Sequence, residues 1–212
     1  AIELAQLARR AEVAATGVPT GIMDQLCIAS ATSGHATQID CNDLTIDHVR
    51  IPDDVKIAIR FITHRTLEGS AYATRVSECS KAEAEIGPLR LAHLVDIDGI
   101  NDLTVRSRAR HVISENERVR TFAQALTNND YRSAGEMMIE SHHSLDRDFE
   151  VSTPTMNAAV EELVRTPGVF GARMTGGGFG GCVVALCEPS VDIDAWIVRP
   201  VDGVRRLDTT GQ

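Results

Sequence analysis

Apolar residues recur at helical spacing from the first residues of the chain. Leu4, Leu7, Ala8 and Ala11 predict an amphipathic helix over residues 2–15, which the turn TGVPTG then ends. A second short helix is predicted to begin near Thr20, with Asp24 in its opening turn. Residues 35–41 and 56–64 are apolar and partly β-branched, and residues 46–51 alternate, so three strands are predicted, paired antiparallel. Over residues 68–86 the period becomes helical, and it continues so over 105–126, 130–145 and 154–164 with short polar breaks. The stretch PGVFGARMTGGGFGGCVVALCEP then predicts a strand, a glycine-rich turn and a second strand, and AWIVRPVDGVRRL adds one or two more. Strands, then helices, then strands describe an α+β fold, an antiparallel sheet with helices packed on one face.

Composition narrows the partners. The chain has 212 residues, 43% of them hydrophobic, enough for a substantial core. Its formal net charge is -9 and it has no run of Lys or Arg, which argues against a nucleic-acid backbone as partner, since that binding relies on clustered cations. No apolar run approaches the ~20 residues of a membrane-spanning helix, and no charged-then-apolar leader precedes a cleavage site. Five cysteines form no C-x-x-C pair and read as free thiols of a reducing cytoplasm. Ala1 opens directly into a helical pattern with no initiator Met and no N-cap residue, which predicts further sequence upstream.

Two segments carry candidate chemistry. In RMTGGGFGGC, Gly176, Gly177, Gly178, Gly180 and Gly181 fill five of six positions. Such density is tolerated where φ must be positive or where a ligand approaches the backbone, so a phosphate-facing loop fits; a tight hairpin with a bulge is the structural alternative. The loop matches neither the Walker pattern nor the dinucleotide fingerprint, because no Lys-Ser/Thr pair and no helix follow it. In GVPTGIMDQ, Gly17 and Gly21 flank a proline turn that delivers Asp24 near a helix start, where free amides favour an anionic carboxylate; an acidic cap is the alternative.

GVPTGIMDQ, GHATQIDC, SAYATRVSEC, RARHVISENERV, DYRSAGEMMIESHHSLDRDFEVSTPTMN and GVFGARMTGGGFGGC, in that order, closely resemble the galactokinases of the GHMP kinase superfamily. The resemblance implies transfer of a phosphoryl group from ATP to the anomeric hydroxyl of galactose. It implies Asp24 as catalytic base or electrostatic anchor, Gly21 lining the sugar through its backbone, and the Tyr72 hydroxyl on the sugar. It places Gly176, Gly177, Gly178, Gly180 and Gly181 beside the phosphates, in a GHMP-kinase C-terminal type domain over residues 51–212. Residues 1–50 would be the remainder of an N-terminal kinase domain. In such kinases ATP and Mg2+ are held mainly by a serine-rich loop, and the sugar also by an N-terminal motif, neither of which is in this sequence; the chain alone is therefore expected to be inactive. The implied partners are small molecules, a sugar and ATP, with neither nucleic acid nor membrane. Family members that sense galactose without catalysis exist, so a regulatory protein is the alternative. His64-Arg65 reverses the usual Arg-His order and Thr20 replaces a common cysteine, which leaves room for arabinose, galacturonic acid or an amino sugar.

Other pairs compete for a role. Glu140 with His143, and His111 with Glu115, share helix faces at the spacing of a dimetal carboxylate site, though that architecture needs two more glutamates. Arg173 reads either as a phosphate ligand or as half of an ion pair.

Overall fold

A computed structural model describes residues 1–18, 20–64 and 72–205. It divides into two compact units, Ala1–Pro52 with the chain from Arg199 onward, and Asp53–Val198.

In the first unit α1 spans Ile2–Thr16 and stops at Gly17, whose N–H donates to Val13 O at 2.9 Å. Helix α2 spans Met23–Ser30, starting three residues later than the predicted Thr20. The delay has a visible cause: Thr20 is tied to α1, its carbonyl accepting from Arg9 Nε at 2.9 Å and its hydroxyl donating to Glu12 Oε1 at 3.1 Å. Strands β1, His35–Ile39, and β2, Ile46–Arg50, pair antiparallel from His35↔Arg50 to Ile39↔Ile46. The returning chain zips onto this layer, Gly203 N donating to Ala31 O and Val204 N to Ile28 O, both at 2.8 Å. Among the described hydrophobic residues of this unit only Ala5 and Leu26 are buried, while Leu7 and Ile28 stay more than half exposed.

In the second unit β3, Lys56–Thr63, is followed by helices α3, Tyr72–Ile86, α4, Leu103–Thr127, α5, Tyr131–Arg147, and α6, Pro154–Arg165. Strands β4, Val169–Thr175, β5, Gly181–Cys187, and β6, Trp196–Val198, complete it. Side-chain caps explain the helix starts: Asp102 accepts from Thr104 N and Val105 N, Asp130 from Ser133 N, and Thr153 from Met156 N ahead of a proline in the first turn. A 3₁₀ turn over Leu94–Gly99 was not anticipated, being too short to show a period.

The four strands form one antiparallel sheet in the order β4-β5-β3-β6. Ala58, Ala185 and Ala172 lie in register across three of them, with Val183 and Met174 on the same face. Met156, Ala159, Val160 and Leu163, spaced three, four and seven residues along α6, close over that row. Each such Val, Leu or Met contributes about 1.5–3 kcal/mol by burial. On the other face Phe61 and Trp196 are exposed, so the helices cover one side as the pattern predicted. Helix α5 docks along edge strand β4 through two glycines. A Cβ on Gly135 would lie 2.0 Å from Phe170 O, and one on Gly171 would lie 2.1 Å from Gly135 O, so only this pair lets the backbones meet.

Candidate active-site elements

Asp24 lies in the first turn of α2, exposed to solvent. Ile22 occupies the N-cap and no side chain caps the helix, so the capping alternative does not hold. Among the described residues the Asp24 carboxylate makes no hydrogen bond or ion pair. It stands free beside the positive end of a helix, a condition suited to receiving or orienting a hydroxyl. Gly21, three residues before, is exposed, and a Cβ there would meet nothing within 4 Å. Pro19 and Arg65 lie outside the described residues.

Tyr72 opens α3 in the second unit and is half-buried. The glycine turn joins β4 to β5 in the same unit, and Thr175↔Cys182 is its last strand pair. Gly176, Gly178, Phe179, Gly180 and Gly181 have positive φ, at 83°, 86°, 60°, 133° and 96°. Two of these residues are held by the chain itself. Phe179 N donates to Val151 O at 2.7 Å, and a Cβ on Gly178 would lie 2.5 Å from that oxygen. Gly176 is exposed and Gly177 half-buried, whereas Gly178 and Gly180 are buried. Val151 thus supplies the close backbone approach at Gly178, and the solvent-exposed part of the turn is its start.

The structure decides the open pairings. Arg173 Nη1 lies 3.3 Å from Glu115 Oε2 and its Nε donates to Met174 O, so it is an ion-pair partner. Burial pushes the Glu115 carboxyl up, yet the Ser141 hydroxyl, Arg173 and Arg118 outweigh it and hold the group below the usual carboxylate range. His111 is buried, stacks on Phe149 at 4.4 Å and bonds the Ser144 hydroxyl at 3.0 Å; burial pushes its pKa down to about 4. Among the described residues no group of three His, Cys, Asp or Glu stands close enough to hold a metal, so the dimetal pairing has no site.

Residues 122–196 match the family model described as GHMP kinases C terminal. The second unit carries a GHMP kinase C-terminal domain. The chain is similar to galactokinases: that of Bos taurus at 43% identity over 88% of this chain and 49% of the relative, and that of Homo sapiens at 41% over the same shares. The galactokinase of Chloroflexus aurantiacus is 39% identical over 95% of this chain and 54% of the relative. A crystal structure of Lactococcus lactis galactokinase complexed with galactose superposes with a TM-score of 0.89 at 29% identity, covering 97% of this chain and 61% of that one. The chain spans about half the length of the curated relatives it matches.

Within the second unit the glycine turn rests on a charge network around a buried arginine that sequence reading missed. Arg108 is 1% exposed. Its guanidinium reaches Glu78 at 2.8 Å, the Asp148 carbonyl at 2.6 Å and Glu150 at 2.6 Å, and Arg75 joins Glu78 from one turn away on α3. Burial pushes Glu78 up, but the bond and charge of Arg108 and the charge of Arg75 hold it below the ordinary carboxylate value. Glu150 itself has a positive φ of 53° and leads straight into Val151, the anchor of the turn. Arg108 therefore fixes an unfavourable backbone that in turn fixes Phe179. A signal existed: Arg108 falls three residues after Val105 in the apolar row Val105, Ala109, Ile113, and a charge in such a row is tolerated only when partnered.

Two further contacts support these segments. His142 is buried, with Nδ1 3.4 Å from the N–H of Met174 on edge strand β4; burial pushes its pKa down, leaving the neutral ring that can accept. In the first unit Glu12 bonds both Thr20 and Gln25, so a single carboxylate on α1 clamps the turn on either side of Gly21.

Proposed function

We propose that this chain forms part of a galactokinase-like sugar kinase that phosphorylates the anomeric hydroxyl of galactose with ATP as donor. The observation that carries the reading is the exposed Asp24 carboxylate within GVPTGIMDQ, without a partner among the described residues, in a chain 37–43% identical to galactokinases. Phosphoryl transfer asks little covalent work of a protein, so positioning and charge supply most of the catalysis. Asp24 orients the attacking hydroxyl and accepts its proton, a role worth about 10²–10⁴ in rate. The open space at Gly21 lets the sugar meet the backbone, and Tyr72 offers a hydroxyl to it. Residues 1–50 supply the remainder of an N-terminal kinase domain, and residues 51–212 the C-terminal domain with its glycine turn.

The glycine turn is exposed at Gly176 and half-buried at Gly177 but has no lysine or serine, so it fits a supporting contact to an ATP phosphate oxygen rather than a full nucleotide site. ATP supplies the transferred phosphoryl group. Mg2+ finds no ligand cluster among the described residues, and no step is assigned to it. Use of ATP and five free cysteines suit the cytoplasm. No helix of the described residues is long and apolar enough to cross a membrane. Leu7 and Ile28 of the first unit are each more than half exposed, apolar side chains suited to contact with the remaining half of such a kinase.

The test is complementation. The chain alone should show no turnover of ATP and galactose. Co-expressed with the missing half of a similar galactokinase, it should form galactose 1-phosphate, and Asp24→Asn should abolish that while leaving galactose binding by calorimetry intact. Near-normal turnover by Asp24→Asn would remove Asp24 from the mechanism.

A further inference from the structure

Between α4 and α5 the second unit holds a cavity of about 470 Å³ whose walls include neither Tyr72 nor any residue of the glycine turn. Its size falls within the range of about 300–1,000 Å³ typical of small-molecule sites. Arg110, Ser114 and Arg118 recur every fourth residue along α4 and line one wall. Glu140, His143 and Arg147 line the other from α5, with the Ser144 hydroxyl below them.

The helices run antiparallel across the cavity. At one end Ser141 of α5 bonds Glu115 of α4, and at the other Asp148 pairs with Arg110 at 3.1 Å. Arg147 consequently shares an end with Arg110. Asp148 is already satisfied there, one carboxylate oxygen accepting from Arg110 and the other from Ser144. Arg147 has no acidic partner among the described residues, which leaves a net cation at that end. Glu140 stands two helical turns away, about 10 Å along the axis. Neither Glu140 nor His143 makes a hydrogen bond or ion pair among the described residues. Leu94 and the buried Ile97 give the cavity an apolar wall.

A guanidinium pair at one end, hydroxyl-seeking groups at the other and an apolar flank between them describe a specific ligand chemistry. We propose that this cavity is a second binding site, for a phosphorylated sugar. The phosphate sits between Arg110 and Arg147, the sugar hydroxyls meet Glu140 and His143, and the C–H face of the ring lies on Leu94 and Ile97. The site does not rest on the kinase reading of Asp24. Its place in the fold gives it reach: Asp148, which walls the cavity, passes its carbonyl to Arg108, and Val151 three residues on anchors the glycine turn.

The probe is glucose 6-phosphate, titrated into the full 212-residue chain and followed by backbone amide resonances, with inorganic phosphate and glucose as its two halves. Saturable shifts should centre on Ser114 and Ser144, and neither half should bind as tightly as the whole. Arg147→Gln, at an exposed position that should leave the fold intact, should weaken binding by about tenfold, the loss of one charge-assisted contact. Glu140→Gln should weaken glucose 6-phosphate and leave inorganic phosphate unchanged. No saturation at millimolar concentrations, shifts centred on the glycine turn instead, or equal affinity in Arg147→Gln would each overturn the proposal.

Discussion

Replacing Gly178 by alanine separates the two reasons a glycine can be required. The residue has φ of 86°, and a Cβ there would lie 2.5 Å from Val151 O and 2.6 Å from Val151 Cβ. The left-handed conformation costs a residue with a side chain about 1–2 kcal/mol. The contact is with a backbone oxygen that no rotamer change can move aside, so the chain must shift, at about 1–3 kcal/mol. Against this the alanine restricts the unfolded chain, returning about 0.4–1 kcal/mol. The net expectation is a destabilisation of about 2–4 kcal/mol, read as a lower urea midpoint at unchanged slope. Faster exchange of the Phe179 amide should accompany it, since the Val151 carbonyl it bonds is displaced. Val151→Gly in the same chain should not restore stability, because the offending carbonyl remains. If Gly178→Ala instead unfolds within about 0.5 kcal/mol of the parent, in the range of an ordinary surface change, the turn is not packed on Val151 as described and the reasoning is wrong. Gly21→Ala is the matched control. With no atom of the described residues within 4 Å of its Cβ and no positive φ, it should raise stability by the same about 0.4–1 kcal/mol, and any loss should appear only in sugar affinity.

The helix–strand contact makes an equally sharp case: Gly135→Ala, with its Cβ 2.0 Å from Phe170 O, should lower stability by about 3 kcal/mol in thermal melts, and Gly135→Ala with Gly171→Ala should cost less than the two singly, since both wedge the same interface. His111 is held at a pKa of about 4 against an ordinary 6.5, so the unfolded chain binds more protons between these values. Its contribution is present in full above about pH 6.5 and lost as pH falls toward 4, amounting to about 3 kcal/mol. The difference between the urea stabilities of the parent and His111→Gln should shrink over that window; a constant difference would refute the buried neutral ring. Arg108→Met leaves the Asp148 carbonyl without its donor and Glu78 and Glu150 with Arg75 alone, and should cost about 3 kcal/mol, with part recovered by adding Glu78→Gln.

The periodic elements were legible because each follows one local rule. Helices α4, α5 and α6 were predicted within three residues of their ends, since each carries a long apolar period bounded by short polar breaks. The delayed start of α2 was not legible, because it depends on Arg9 and Glu12 reaching Thr20 across eight to eleven residues. Arg173 stayed undecided for the same reason: its partner Glu115 is 58 residues away. His111 and Glu115 share a helix face as expected, but what surrounds them is an aromatic ring, two serines and two arginines, and those neighbours are set by packing rather than spacing.

The glycine turn shows where such reading stops. Six residues rich in glycine announce positive φ, and five of the six have it. Composition alone cannot say whether the space beside each glycine is kept for a ligand or filled by the chain. Gly178 and Phe179 are engaged by Val151, while Gly176 faces solvent, so one run of similar letters divides into a foot and a face. The foot accounts for the buried arginine. A turn with so many left-handed residues has few favourable states of its own, so it holds one shape only if its support is rigid, and the buried Arg108 gives Glu150 and Val151 that rigidity through three bonds. The face can then present amides without further reorganisation, which is the condition under which backbone dipoles contribute most to a charged transition state.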